Sequence, residues 1–305
     1  MSWDPLSRLL FPAPSPSYGL ESFPNEELIF VPKRLELRWA CPAEQRIPCL
    51  LLRYPSARFL VIYLHSNAED LGRCYDFCSL LRVQLQVHVL AVEYPGYGLC
   101  PGGQATADSV TENAFAAFRF LREGLRWPVD SIKVFGRSIG TGPAVALAVQ
   151  YRVAGLVLVA PFLSIKELLH DVVGVLSYVV KERFPSKDRI HLVQSPTLII
   201  HGQKDTLIPC RHGATLYTLC RCRKQFVCPE EMEHNSNLLA DPAYLAVPML
   251  QFFALPDYSF EDRPVPSWVV SPDASRPMRG RASGAYGNGP VEQPQEQPEP
   301  TLPPI

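Results

Sequence analysis

Charge is scarce in this chain and evenly split: of 305 residues, 29 are Lys or Arg and 30 are Asp or Glu, a formal net charge of −1. With no basic excess and no basic half there is no electrostatic footprint for a phosphate backbone, which excludes nucleic acid as an expected partner and favours a neutral or apolar substrate. Long apolar runs are lacking too. The nearest, Leu168 to Val180, falls short of the about 18 residues that read as a membrane span and carries His170 and Asp171. Met1 to Phe11 shows no basic stretch leading into an apolar core and cleavage site, and Ser2 stands where a myristoylated chain has Gly. The expectation is a cytoplasmic protein, not secreted and without a transmembrane helix. The 9 cysteines are an odd number scattered through strand and helix patterns, which reads as reduced thiols. Cys220-Arg-Cys222, and Cys74 with Cys78 one helical turn apart, have no His or second Cys pair at ligand spacing beside them, so no metal is expected.

Proline, by contrast, is abundant, and its placement sets the boundaries. Residues 1–25 read as a Pro-rich extension in which Trp3, Leu6, Leu9, Leu10 and Phe11 form a short apolar stripe suited to transient membrane-surface contact. Residues 26–255 read as one domain. From Pro256 to Ile305 periodic apolar residues disappear, and the expectation is a disordered tail. Its Pro300-Thr-Leu-Pro303 has the spacing of a polyproline ligand for an adaptor, against the plainer reading as a solvating tail.

Within the domain, short β-branched runs alternate with amphipathic stretches. Arg58–His65, Val87–Glu93, Ser131–Gly136, Gly155–Pro161 and Pro196–Gly202 read as strands buried on both faces. Asp70–Leu85, Ser109–Glu123, Ser138–Tyr151, Thr206–Cys222 and Asp241–Phe253 read as helices. Such alternation implies an α/β fold with a mostly parallel, doubly wound sheet of about seven or eight strands. Lys33–Trp39 and Arg46–Leu52 alternate apolar and polar residues and are expected to form an antiparallel pair at its N-terminal edge.

Ligands of such sheets bind beyond the carboxyl ends of the strands. After one strand comes Gly136-Arg-Ser138-Ile-Gly140 opening a helix, the Gly-x-Ser-x-Gly elbow in its required strand-turn-helix setting. A serine hydroxyl needs a base to take its proton, and the base needs a carboxylate to orient it. Asp205 follows a strand at its carboxyl end and His234 precedes the last helix, giving the chain order Ser, acid, His. The other histidines read as structural: His88 begins a strand, His191 precedes one, His170 and His212 lie in helical patterns, and His65 and His201 close strands. His170 is the one rival base. Backbone donors for an oxyanion are expected at Ile139 and at Asn67 or its neighbour Ser66, although Ser66 and Asp70 also read as caps of the next helix.

Leu64-His-Ser-Asn-Ala-Glu-Asp-Leu-Gly, Glu93-Tyr-Pro-Gly-Tyr-Gly, Gly136-Arg-Ser-Ile-Gly-Thr-Gly-Pro and Glu233-His-Asn together resemble the α/β-hydrolase superfamily, within it the α/β-hydrolase-domain-17 group and its protist and plant relatives. The likeness runs from Phe11 to Phe253 and includes the Pro-rich entry. It implies the α/β-hydrolase fold and thioester hydrolysis on S-acylated proteins, since the group includes protein depalmitoylases, with Ser138, Asp205 and His234 as nucleophile, acid and base. Three departures stand out. That group has Gly at the positions of Ser66 and Glu233, and its mammalian members carry an N-terminal cysteine cluster, whereas the first cysteine here is Cys41.

The segment 161–194 reads as a short helical insertion in which Leu168, Leu169, Val172, Val173 and Leu176, with Val175, Val179 and Val180, outnumber what one helix face buries. It suits an acyl-binding lid or ordinary core over a pocket. Arg211, Arg221, Arg223 and Lys224 read as helical, facing solvent or anionic headgroups. The expected protein is a serine hydrolase working through an acyl-enzyme without a cofactor, on an S-acylated protein or a lipid-like ester. A carboxylesterase or peptidase of the same fold, and a non-catalytic scaffold, are the alternatives.

Overall fold

The computed structural model describes residues 5–24, 26–34, 42–255 and 264–270. Among them runs one eight-stranded sheet of order β1-β2-β4-β3-β5-β6-β7-β8. Its strands are β1 (Leu28–Pro32), β2 (Arg46–Leu52), β3 (Leu60–Leu64), β4 (His88–Val92), β5 (Ile132–Arg137), β6 (Gly155–Val159), β7 (Thr197–Ile200) and β8 (Lys224–Val227). β1 with β2 and β2 with β4 are antiparallel, and every other pair is parallel. The helices are α1 (Pro5–Leu10), α2 (Leu71–Leu85), α3 (Ala107–Arg119), α4 (Thr141–Gln150), α5 (Ile165–Val173), α6 (Ser186–Arg189), α7 (Arg211–Leu219) and α8 (Ala246–Phe253).

Alternation along each parallel strand divides its side chains between two cores. Leu60, Ile62 and Leu64 of β3 join Val134, Leu156 and Leu158 in one cluster under α3, α4 and α7. Val61 and Tyr63 join Val89, Phe135, Val157 and Leu198 in the other, under α2 and α8. All five residues of β3 are fully buried, and each such side chain contributes about 2 kcal/mol of transfer free energy. That two-sided burial is why the strands read as continuous apolar runs. A third cluster forms at the carboxyl end of the sheet from Phe11, Tyr94, Tyr97, Ile139, Phe162, Ile165, Phe184 and Ile208.

Chain order positions the site. From β3 the chain steps to β4 on one side and returns to β5 on the other, so the winding reverses between β3 and β5, the crevice where such sheets place ligands. The loops after β3 and β5 carry Asn67 and Ser138.

Several sequence expectations are corrected. The edge partner of β2 is Leu28–Pro32, not Lys33–Trp39; Lys33 and Arg34 lie in a bend after β1, and 35–41 fall outside the described residues. Lys224–Val227 is a strand, and α7 ends at Leu219, so of the four basic residues only Arg211 is helical. Three of them are also engaged: Arg211 pairs with Asp171, Arg223 donates to the Phe252 carbonyl, and Lys224 donates to those of Tyr217, Thr218 and Cys220. Phe11 is core, 1% exposed, while Leu9 of the same stripe is 70% exposed; Trp3 and the Leu6 side chain lie outside the described residues. Within the expected tail, residues 264–270 form a turn whose Val269 packs into the first cluster, with Trp268 against it. The rest of the tail, including Pro300–Pro303, lies outside the described residues.

Asp70 caps α2 through the Arg73 amide (3.0 Å) and also receives the Ser17 amide (2.7 Å) and hydroxyl, tying the N-terminal extension to the domain. Asp70→Ala is expected to destabilise the fold by about 2 kcal/mol, seen as a lower urea midpoint at unchanged slope.

Candidate active site

Ser138 sits where β5 turns into a one-turn 3-10 helix ahead of α4, with φ of 51°, a left-handed backbone that a non-glycine residue adopts at a cost. The turn is tight because the elbow lies against the neighbouring strand: a Cβ on Gly140 would stand 2.2 Å from the Leu64 carbonyl oxygen and 2.8 Å from that of His65. The Thr141 hydroxyl donates to the Ser138 carbonyl (2.6 Å) and secures it.

The Ser138 hydroxyl donates to His234 Nε2 at 3.0 Å, and His234 Nδ1 donates to Asp205 Oδ2 at 2.7 Å. Asp205 lies in the loop after β7. Its Oδ1 accepts from the amides of Leu207 (3.0 Å) and Ile208 (2.8 Å), which aims Oδ2 at the imidazole. Acid and base loops touch directly: a Cβ on Gly202 would stand 1.9 Å from the Met232 carbonyl oxygen, and the Lys204 amide donates to that same carbonyl at 3.1 Å. Arg137, next to Ser138, donates to the carbonyls of His234 (3.5 Å) and Ser236 (3.2 Å) and so ties the His234 loop to the strand that carries Ser138.

Burial alone would raise the Asp205 carboxyl, but hydrogen bonds from His201, His234 and the Ile208 amide outweigh it and hold the group well below the ordinary carboxylate value. Asp205 is therefore an anion at neutral pH, able to steady an imidazolium beside it. His201, fully buried at the end of β7, donates from Nε2 to the Ile208 carbonyl at 2.7 Å and stands 3.4 Å from Asp205 Oδ2. Its expected structural place thus lies directly behind the acid. The rival base His170 is exposed on α5.

The loop after β3, whose Leu64 and His65 carbonyls lie against Gly140 of the elbow, carries Asn67. The Ser66 amide (3.1 Å) and hydroxyl (2.7 Å) both donate to Glu69, which leaves the Asn67 and Ile139 amides as the expected oxyanion donors. Asn67 Oδ1 accepts from the Tyr97 hydroxyl at 3.1 Å. Glu233, beside the base, is exposed, and its amide donates to the Ser236 hydroxyl. Leu168 and Leu169 are half-buried against the third cluster, which includes Ile139, while Val175 is 72% exposed; the side chains of Val172, Val173, Leu176 and Val179 lie outside those described. Asp171 ties this insertion to α7 through His212 Nε2 at 2.6 Å. Sequence reasoning gave no role to Arg137, Glu93 or Tyr97; Glu93 and Tyr97 were visible only as part of the Glu93-Tyr-Pro-Gly-Tyr-Gly motif.

Comparison with known proteins bears on this geometry. The nematode (Caenorhabditis elegans) α/β-hydrolase domain-containing protein aho-3 is 31% identical over 229 residues, covering 70% of this chain and 68% of that one. This chain belongs to the α/β-hydrolase superfamily. The family described as serine aminopeptidase, S33, matches residues 55–188. α/β-Hydrolase domain-containing protein 17C of mouse is 31% identical over 63% of this chain and 59% of its own length, and human 17B is 31% identical over 62% and 65%. The chain thus spans about three-fifths of the length of these relatives. Among solved structures, the Pyrococcus furiosus esterase Pf2001 shares the fold at a TM-score of 0.61 and 14% identity, covering 79% of this chain and 98% of that one. Mouse α/β-hydrolase domain-containing protein 10 shares it at 0.55 and 14% identity over 74% and 98%. The chain is an α/β serine hydrolase, and none of its described helices is long and apolar enough to cross a membrane.

A carboxylate whose value is lowered on folding adds stability above its unfolded value and loses it as the pH falls. The stability difference between wild type and Asp205→Asn is therefore expected to be largest near pH 7 and to narrow below about pH 4. Urea unfolding at pH 7, 5 and 3 checks this; a constant difference contradicts it.

Proposed function

We propose that the chain hydrolyses long-chain acyl thioesters of S-acylated proteins through an acyl-enzyme on Ser138. The observation that carries this reading is the unbroken hydrogen-bond relay from Ser138 through His234 to Asp205, on a positive-φ elbow whose next residue, Ile139, belongs to an apolar cluster. Ser138 Oγ attacks the acyl carbonyl while His234 Nε2 takes its proton, and ionised Asp205 stabilises the imidazolium that results. The amides of Ile139 and Asn67 receive the oxyanion, the step in which preorganised donors act most strongly. Collapse breaks the carbon–sulfur bond, and His234 returns the proton to the departing thiol. Water, deprotonated in turn by His234, then cleaves the acyl-enzyme and frees the fatty acid and Ser138. The base is built into the chain, so the reading calls for no cofactor.

The acyl chain would lie along Ile139, Phe162, Phe184 and Ile208, with Leu168 and Leu169 of α5 as its outer wall. An apolar wall of this kind recognises the chain rather than the leaving atom, which is why the thioester assignment leans on the resemblance to the group that includes depalmitoylases. Leu9 and Val175, exposed on α1 and after α5, suit transient contact with the membrane on which such substrates sit.

Fluorophosphonate labelling followed by turnover of matched ester, thioester and amide substrates tests the reading. Wild type is expected to take the label and to prefer the long-chain thioester. Ser138→Ala is expected to lose the label and at least about 10³-fold in turnover, with its melting temperature within about 2 °C of wild type. Turnover of esters alone would reassign the protein as a lipid esterase. A folded wild type that takes no label would overturn the catalytic reading.

A further inference from the structure

Beneath the loop that carries Asn67 lies a buried carboxylate that the triad chemistry leaves without a role. Glu93, immediately after β4, is fully buried and meets four donors. Its Oε1 accepts from His65 Nε2 (3.1 Å) and the Tyr94 amide (3.2 Å), and its Oε2 from the Tyr18 hydroxyl (2.9 Å) and the Leu71 amide (3.1 Å). The Tyr94 and Leu71 amides are obligate donors, one to each oxygen, and the ionised group accepts from all four partners at once. His65 is equally buried, and both of its ring nitrogens face acceptors: Nδ1 the Ser66 carbonyl at 2.9 Å, Nε2 the Glu93 carboxylate. Beside the ionised Glu93, a neutral ring would turn a lone pair toward one of those oxygens. Only the imidazolium donates to both.

We infer that Glu93 holds His65 as an imidazolium, and that this ion pair is a positioning device which fixes the loop 65–67 so that the Asn67 amide faces the Ser138 elbow. The loop is gripped from both sides. Tyr94 stacks on the His65 ring with centroids 3.8 Å apart and donates its hydroxyl to the His65 carbonyl at 2.7 Å, while Tyr97 donates to Asn67. The same His65 carbonyl is one of the oxygens against which Gly140 packs, so a shift of His65 is felt one residue from Ile139 and two from the nucleophile. The ionisable groups facing the ring are Glu93, Tyr94 and Tyr97 from the β4 side and Glu69 from its own loop. Burial alone would lower the imidazole, but the hydrogen bond to Glu93 and its charge, the Ser66 carbonyl and Glu69 together raise it. Burial keeps the Tyr94 phenol protonated.

The positioning role rests on the acyl-transfer reading; the proton state does not. Nitrogen-15 NMR of wild type is expected to show both His65 nitrogens protonated at pH 6.5, where half of a free imidazole is already neutral, whereas a lone pair on either at that pH overturns the ion pair without reference to any substrate. With a p-nitrophenyl ester as probe, folded His65→Gln and Glu93→Gln are each expected to lose about 100-fold in kcat with KM changed less than about threefold, since a displaced oxyanion donor acts on the transition state. Wild-type turnover with a folded His65→Gln within threefold of wild-type kcat overturns the positioning role alone. A wild type without turnover instead overturns the hydrolase reading. If Glu93→Gln does not fold, the wild-type spectrum and His65→Gln decide the matter.

Discussion

Everything at this site depends on how closely two backbones approach where the winding of the sheet reverses. The elbow after β5 presses against the end of β3, where the atoms at Gly140 leave no space for a Cβ beside the Leu64 carbonyl. Two residues before that contact Ser138 takes its left-handed conformation, and Gly140 packs against the carbonyl of His65, two residues before Asn67. A strand register supports it, because Leu64 pairs with Gly136 in the parallel ladder and the two loops therefore leave the sheet at the same height. The elbow and the end of β3 are thus brought together by main-chain geometry, with little asked of side-chain identity beyond two small residues.

Around this contact, two buried carboxylates organise the remaining groups. Asp205 collects two amides on one oxygen and the base on the other, with His201 behind it. Glu93 collects four donors from four parts of the chain. An anion in the interior survives only when it is surrounded in this way, and once surrounded it dictates where its donors stand. Asp205 fixes the His234 ring, whereas Glu93 meets His65 and Leu71 at the two ends of the loop opposite.

The alternation of apolar runs and amphipathic stretches made the parallel sheet legible, because strands buried on both faces cannot be disguised by polar residues. Ser138 and Asp205 stood out for a similar reason, each following a recognisable strand, whereas His234 lies in the long connection between Val227 and Ala246 and was picked out by chain order. The edges were harder. Leu28–Pro32 ends in proline and is followed by a stretch whose alternation mimics a strand better than the strand itself, and Lys224–Val227 has four half-buried residues that carry no strong pattern. Glu93 went without a role although its strand was read as buried on both faces, because its four donors come from positions 18, 65, 71 and 94, and nothing local announces that they converge. Phe11 was assigned to a membrane stripe on its own neighbourhood, since its partner Phe184 lies far along the chain.

The N-terminal extension is best understood as a clasp. Phe11 lies edge-on to Phe184 in the cluster around Ile139, Ser17 binds the cap of α2, and Tyr18 supplies a donor to Glu93 and receives the Leu99 amide at 3.2 Å. A boundary drawn by sequence pattern at residue 26 would cut through all of these contacts while leaving every strand of the sheet in place. The smallest faithful version of this enzyme therefore begins well before its first strand, and a tag or partner that tugs on residues 11–18 pulls on the underside of the catalytic crevice.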